Sequence, residues 1–258
     1  MTGRRTAVAA LGVLALLGGG CTDGADGSAA GTTTTTTSPD RPITESEAGR
    51  LADVLLRNHE LGGAAVTATV PYGTRSRFEL EGEMDWANHV GRLTVHPTVD
   101  GEAATAFDVA FDQRIVFEEV PGLAEALTEQ NRPAAGWVVR PLDPTTSPLD
   151  VVLRLIDASS STQRDNPVLL LSRNVRWTGR TEVDGHECDR FDLGRTGYAV
   201  DRDDGLLRRV DAELDATSST VTVELRDHGP RTIGLPAEDE VVPLEAVRDL
   251  YTELRRDA

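Results

Sequence analysis

The sequence predicts an α+β fold in which an antiparallel β-sheet of many strands is covered by a few helices on one apolar face. Most segments alternate apolar and polar residues with a period of two, as half-buried strands do. Other segments begin with a helix-capping residue and continue with an apolar stripe of helical period. A sheet with one apolar face requires a cover, and these helices supply it.

The first twenty residues have the layout of a secretory signal. Two arginines precede an apolar run, residues 6–17, which is shorter than the roughly 20 residues of a membrane-spanning helix. Small residues then lead to Cys21, which resembles the lipobox of bacterial lipoproteins, although Gly18 stands where that motif usually has leucine. The resemblance implies removal of residues 1–20 and a diacylglyceryl group on the Cys21 sulfur. An ordinary signal peptide with a chance cysteine is the alternative, and export by the Sec or the twin-arginine route stays open.

Residues 21–41 are predicted to form a disordered tether. They contain the threonine run Thr32–Thr37 and almost no side chain that can pack. Such a segment buries too little apolar area to offset its chain entropy. Residues 42–258 are predicted to be one domain, because no change in composition divides them.

The first predicted element of this domain is a helix over Glu45–His59. Thr44 and Glu47 have the spacing of a capping box, and the pair Gly62-Gly63 closes the helix. Its apolar stripe consists of Ala48, Leu51, Ala52 and Leu55.

Four segments give the strongest strand predictions, because apolar and charged residues alternate in them. They are residues 77–86, 106–112, 206–215 and 220–225. The alternation places Asp85 on the wet face of the first, and it places Leu206, Val210, Ala212 and Leu214 on the apolar face of the third. Asp204-Gly205 is a hairpin signal before the third segment. Weaker strands are predicted at residues 64–70, 91–97, 114–120, 136–142, 175–183 and 186–193.

Three later helices are predicted to cover the sheet. The first begins with the cap Ser147 and with Pro148, and a second, shorter apolar helix or turn begins at Asn166-Pro167. The last closes the chain after Pro243. The apolar stripes are Leu149, Val152, Leu153 and Ile156 in the first helix and Leu244, Val247, Leu250, Tyr251 and Leu254 in the last.

Several stretches in a fixed order carry a resemblance to a known family. They are residues 136–143, 148–158, 175–193, 198–214 and 220–241. In pattern and order they resemble the actinobacterial LppX/LprG-type lipoproteins, which are related in fold to the periplasmic carriers of the Lol system. The resemblance spans roughly residues 44–241 and includes no catalytic motif, and the last helix has no counterpart in it. It implies a curved half-barrel whose concave apolar face, lined by helices, holds the acyl chains of lipids or lipoglycans.

Six apolar residues are candidates for the lining of such a lipid cavity. They are Phe78, Phe107, Phe111, Val152, Ile156 and Leu169. The alternative is that the same residues close a filled core, because a stripe that faces a cavity and one that faces a core have the same period.

The composition excludes several functions. The formal net charge of −17 argues against nucleic acid and against docking a basic face on anionic lipid. All 26 basic residues are arginine, so lysine-based chemistry is excluded. The sequence has no recognisable motif for a catalytic serine, a zinc protease or a dinucleotide, and we therefore expect no enzyme activity, no catalytic residue and no cofactor.

Other reactive groups have simple interpretations. His186 and Cys188 lie two residues apart on a predicted strand, but a structural zinc needs four ligands and no second pair accompanies them, so no metal is expected. Cys188 is interpreted as a buried apolar residue without a disulfide partner. The acidic stretch Asp201–Gly205 fits a hairpin better than a calcium loop. The adjacent acids Glu118 and Glu119 are interpreted as part of a solvated face.

The sequence thus predicts a non-enzymatic lipoprotein of the cell envelope. Modified Cys21 would hold it, as a monomer, on the extracytoplasmic face of the cell membrane, where it would bind or transport a lipid or lipoglycan. The alternative function is a tethered interaction or sensory module with a filled core and no ligand.

Overall fold

The centre of the fold is an open, curved β-sheet that carries helices. The computed structural model describes residues 40–214 and 219–257, and these contain fourteen strands and five α-helices. The strands are β1 (Arg41–Pro42), β2 (Gly63–Pro71), β3 (Arg77–Asp85), β4 (Val90–Val99), β5 (Glu102–Ala103), β6 (Phe107–Phe111), β7 (Ile115–Glu119), β8 (Trp137–Pro141), β9 (Arg176–Val183), β10 (His186–Asp192), β11 (Thr196–Asp201), β12 (Leu207–Glu213), β13 (Thr220–Arg226) and β14 (Val241–Pro243). The helices are α1 (Glu45–Leu61), α2 (Leu123–Glu129), α3 (Pro148–Asp157), α4 (Pro167–Ser172) and α5 (Leu244–Asp257), with a 3₁₀ turn at Glu238–Glu240.

The predicted α+β class, with an antiparallel half-barrel sheet, is confirmed. The strands lie in the order β1-β9-β10-β11-β12-β13-β2-β3-β4-β6-β7-β8-β14, and β5 pairs with β4. The pairing of β14 with β8 departs from the prediction because it is parallel, with Val241 opposite Trp137. Adjacent antiparallel strands need only short turns, whereas β14 arrives after a long connection that lets it run in the same direction as β8.

Helix α1 begins as the sequence predicts. The hydroxyl of Thr44 accepts a hydrogen bond from the backbone N–H of Glu47 at 3.2 Å, and the Glu47 carboxylate accepts one from the Thr44 N–H at 2.8 Å. Gly62 closes the helix with a φ of 89°, a left-handed conformation that glycine adopts without strain. The helix extends two residues past the predicted end at His59.

The apolar face that the alternation predicts is the face that the helices cover. Helix α3 packs across β2, β3, β4 and β13, and helix α1 contacts α4 and β12. The predicted stripe of α3 is buried throughout. Trp86, just after β3, donates from its indole Nε1 to the carbonyl of Ile156 at 3.1 Å, so the one polar atom of this buried side chain is satisfied.

Two details of the predicted alternation are wrong. A bulge between β11 and β12 shifts the register, so Leu207 joins the main core in place of Leu206. Asp85, predicted to face water, is buried because its carboxylate accepts hydrogen bonds from the backbone and the side chain of Asn88 in the following turn.

A second, smaller apolar core lies beside β8. Helix α2, which the sequence did not predict, packs there against α5. The buried residues of this second core are Val120, Leu123, Leu127, Ala135, Val138 and Val247. The other four residues of the predicted α5 stripe pack against them. The backbone of α5 departs from helical geometry at Val247, with φ −137°. Helix α5 therefore packs its apolar stripe on this second core.

The predictions for the beginning of the chain lie outside the described residues. This concerns the signal peptide 1–20, Cys21 and nearly all of the tether 21–41, together with Asp215 at the end of a predicted strand. The chain divides into Met1–Thr37 and Ser38–Ala258, and the described residues belong to the second unit. Within the described residues, no helix has both the length and the apolar content that crossing a membrane requires.

Candidate functional site

A cavity of about 1070 Å³ lies between the β3–β8 half of the sheet, the beginning of α3 and one face of α5. Its walls come from distant parts of the chain. The lining residues are Tyr72, Phe78, Pro97, Val99, Ala104, Thr105, Phe107, Glu118, Arg140, Pro141, Asp143, Thr146, Ser147, Pro148, Leu149, Leu244, Arg248, Tyr251 and Arg255.

One wall of the cavity is apolar and aromatic. The rings of Tyr72 and Phe78 stack with their centroids 4.2 Å apart. Phe107 lies nearby on β6 and Leu149 at the start of α3, while Val99 is left 46% exposed. Burial, and then the charge of Asp100, raise the pKa of Tyr72. This wall can contact an apolar chain mainly through Tyr72, Phe78 and Val99, which are partly or largely exposed, whereas Phe107 and Leu149 are 8% and 6% exposed.

An adjoining wall holds an ion-pair network centred on Arg140. Its guanidinium binds the carboxylate of Asp150 through two hydrogen bonds, of 2.6 and 2.7 Å, and it donates from Nε to Glu118 at 2.6 Å. The side chains of Asp150 and Glu118 are 0% and 5% exposed. Burial alone would lower the pKa of Arg140, but the hydrogen bond to Asp150 and the two carboxylate charges raise it. The network joins β7, β8 and the first turn of α3.

Helix α5 completes this wall. Tyr251 donates its hydroxyl hydrogen to Glu118 at 2.7 Å, and Arg255 donates to the same carboxylate oxygen at 3.2 Å. The guanidinium carbon of Arg255 lies 3.8 Å from the centre of the Phe107 ring. Burial and the negative charge of Glu118 raise the pKa of Tyr251 to about 12. The interpretation of Glu118 as part of a solvated face is therefore wrong.

The six candidate lining residues lie in three different places. Phe78 and Phe107 line the cavity. Phe111, Val152 and Ile156 are fully buried in the core between α3 and the sheet. Leu169 lies on α4 and is 46% exposed.

The sequence reasoning missed the polar residues of the cavity. Arg140 and Glu118 are oppositely charged neighbours on adjacent strands, but strand pairing is invisible in the sequence. Tyr251 and Arg255 had a usable signal, because together with Arg248 they recur at positions that share one helical face. The sequence analysis counts Tyr251 in the apolar stripe of this helix and assigns no role to Arg248 or Arg255.

A separate cluster on the other half of the sheet explains the acidic stretch before β12. Arg208 binds Asp201 at 3.0 Å and Asp204 at 2.5 Å. Gly205 has a φ of 72°, which confirms the predicted hairpin. The Asp201 carboxylate also binds the ring of His186 at 2.7 Å. Asp201 and Asp204 thus hold the turn of the hairpin against Arg208 at the start of β12.

Cys188 packs with Val183 and Ala199 in a small buried cluster. Burial raises the pKa of its thiol to about 11, so the unreactive protonated form dominates at neutral pH. In the described parts of the chain no group of three or more His, Cys, Asp or Glu side chains is placed to hold a metal ion.

Comparisons with known proteins give distant similarities only. No family model and no curated protein matches the chain. An uncharacterised conserved protein from Thermus thermophilus is 12% identical, with a TM-score of 0.38 over 77% of this chain and 99% of that one. The structure of the Pseudomonas aeruginosa MucA/MucB complex is 19% identical (TM-score 0.29, covering 76% of this chain and 59% of that one). A DUF1329 family protein from Desulfovibrio piger is 12% identical (TM-score 0.27, covering 75% and 96%).

This chain thus spans about three fifths of the matched chain in the MucA/MucB complex. Membership of the LppX/LprG family stays a prediction. The functional proposal rests on the residues of the cavity.

Proposed function

We propose that this chain is a membrane-anchored, non-enzymatic lipoprotein of the cell envelope that binds or carries a lipid or lipoglycan. The cavity between α3, α5 and the sheet would hold the acyl part of the ligand. Lipidated Cys21 would hold the protein on the extracytoplasmic face of the membrane, with residues 21–41 as a tether.

The size and the lining of the cavity carry this proposal. At about 1070 Å³ it reaches the upper end of the ~300–1,000 Å³ typical of small-ligand pockets. A buried acyl chain of some sixteen carbons offers on the order of ten kcal/mol before entropy costs, at ~0.8 kcal/mol per CH₂. Tyr72, Phe78 and Val99 supply partly exposed apolar surface for such a chain, and Phe107 and Leu149 complete the lining.

A cavity-filling substitution tests the proposal. The full chain carrying Cys21→Ser is purified without detergent, extracted with organic solvent and analysed for lipid by mass spectrometry, and uptake of a fluorescent fatty acid is then measured. We expect bound lipid or uptake, and loss of both in Ala104→Trp, because Ala104 lines the cavity. Ala106→Trp is the matched control, since Ala106 is exposed and outside the lining. Absence of lipid and of uptake in the parent chain would contradict a carrier.

A second candidate function, a tethered interaction or sensory module with a filled core, is favoured by one observation. Three of the six candidate lining residues, Phe111, Val152 and Ile156, are fully buried in the main core and are not part of the cavity lining. This module would take up no fatty acid, and the two tryptophan variants would behave alike in the same experiment.

A further inference from the structure

In the charged wall of the cavity, some guanidinium donors are free, whereas the carboxylates of Glu118 and Asp143 already accept hydrogen bonds within the protein. Both oxygens of Glu118 accept hydrogen bonds, one from Arg140 and the other from Tyr251 and Arg255. The Asp143 carboxylate is used in the same way, because Thr145 and Thr146 donate to its two oxygens. The acids of this wall are therefore already satisfied within the protein.

The arginines of the same wall differ from one another. Arg140 uses Nε and both terminal nitrogens on Glu118, Asp150 and the Pro141 carbonyl. Arg255 uses one terminal nitrogen, on Glu118 and the Glu119 carbonyl, and its plane covers Phe107.

Arg248 is in a different position. Arg248 is exposed and lines the cavity. Among the described residues, its guanidinium has no hydrogen bond or ion pair. Glu245, one turn earlier on α5, forms no ion pair with it in the described structure.

Arg248 and Arg255, which carry the free donors, both lie on α5 and both line the cavity. Arg248, Tyr251 and Arg255 are spaced three and four residues apart, after the irregular residue Val247, so they share one face of α5. Phe107 lies directly under the guanidinium of Arg255. A ligand whose apolar chain lies in this cavity thus finds guanidinium groups with free donors in the same lining for its polar end.

We propose that Arg248, with the free edge of Arg255, binds the carboxylate or phosphate headgroup of an anionic amphiphile whose chain occupies the cavity. This assignment rests on the proposed function and narrows it, because it excludes cationic ligands and ranks neutral lipids below anionic ones. A guanidinium suits this task, since its fixed donors match the oxygens of a carboxylate or phosphate. The cavity thus offers free hydrogen-bond donors to an anionic group, although the net charge of the chain is −17.

Binding measurements on three ligands test the assignment. Isothermal titration of the full chain carrying Cys21→Ser uses dodecanoate, the neutral monododecanoyl glycerol and inorganic phosphate. We expect dodecanoate to bind more tightly than the neutral ester. Arg248→Gln is expected to weaken dodecanoate binding about tenfold and leave the ester unchanged, because a hydrogen bond to a charged group is lost. Arg248→Lys is expected to restore part of the affinity through its charge alone.

Arg173→Gln is the matched control, because Arg173 is exposed at the end of α4 and outside the cavity. Equal affinity of the parent Cys21→Ser chain and its Arg248→Gln variant for dodecanoate would overturn the assignment while the cavity remained a lipid site. Phosphate binding as strong as dodecanoate binding, and equally dependent on Arg248, would support the oxyanion site and overturn the lipid function. No binding of either amphiphile or of phosphate would overturn both.

Discussion

At the residue scale, Arg140 is the charge on which the cavity wall depends. Its side chain is 14% exposed and lies between Glu118 and Asp150. A buried guanidinium is tolerated only where carboxylates accept its hydrogen bonds, and removal of one partner leaves an uncompensated charge. The network therefore fixes α3 to β7 and β8 only while both acids remain.

The substitution Asp150→Asn is expected to lower the free energy of unfolding by about 3 kcal/mol, because it removes the buried partner that Arg140 binds through two hydrogen bonds. Urea denaturation measures the change. Asp108→Asn is the control, since the side chains of its ion pair with Arg92 are 30% and 47% exposed and the pair is expected to contribute less than about 1 kcal/mol. Equal effects of the two substitutions would show that the Arg140 network is not a stabilising element.

His228 is a second residue whose surroundings decide its chemistry. Burial, and then the positive charge of Arg208, lower its pKa to about 4, with a further lowering by Arg231 and an opposing contribution from Asp204. Its Nδ1 lies 3.3 Å from an Arg208 nitrogen that donates to it, which requires the neutral ring. Protonation would remove this hydrogen bond and place two positive charges side by side.

The free energy of unfolding is therefore expected to decrease as the pH is lowered from about 6.5 to about 4. In this interval the unfolded chain binds a proton at this histidine and the folded chain does not, so acid favours unfolding. The expected loss is on the order of 1–3 kcal/mol, since the ring is only partly buried. Urea titrations at several pH values measure it, and His228→Gln is expected to flatten the dependence. An unchanged pH dependence in this variant would contradict the assignment.

At the scale of elements, the helices show how much is local. Caps in the sequence predict where α1, α3 and α4 begin, and the structure confirms Thr44, Ser147 and Asn166 as capping residues. These signals suffice because an N-terminal cap is a contact within four residues. Helix α2 lacks such a signal, since its cap is Gly122 without a side chain.

Removal of the α1 cap tests this local contribution. Thr44→Ala is expected to lower the free energy of unfolding by about 1 kcal/mol, because the backbone N–H of Glu47 loses its acceptor. Thr44→Ser retains the hydroxyl and is expected to change stability by only a few tenths of a kcal/mol. Chemical denaturation of both variants gives the comparison, and equal losses would show that the methyl group of Thr44, and not its cap, is what matters.

At the scale of the whole molecule, one prediction concerns residues outside the described structure. If Cys21 carries the lipid anchor, Cys21→Ser is expected to move the protein from the membrane fraction to the soluble fraction, which immunoblotting of fractionated cells measures. Cys188→Ala is the matched control, because Cys188 is the other cysteine of the chain and is buried in the sheet. Membrane association that survives Cys21→Ser would contradict the anchor.

By itself the sequence determined most of the strands, the starts of α1, α3 and α4, and the apolar face of the sheet, because period and capping are properties of neighbouring residues. Only the tertiary structure decided what lies inside. Phe78 and Phe107 line the cavity, whereas Phe111 and Ile156 are fully buried in the core, although by sequence all four are equally candidates for a cavity lining or a filled core. The same holds for the pairing of Arg140 with Asp150 and Glu118, since strand order and helix placement bring those charges together. Periodicity reports which face is apolar, but the distance to the opposing element decides whether that face encloses space.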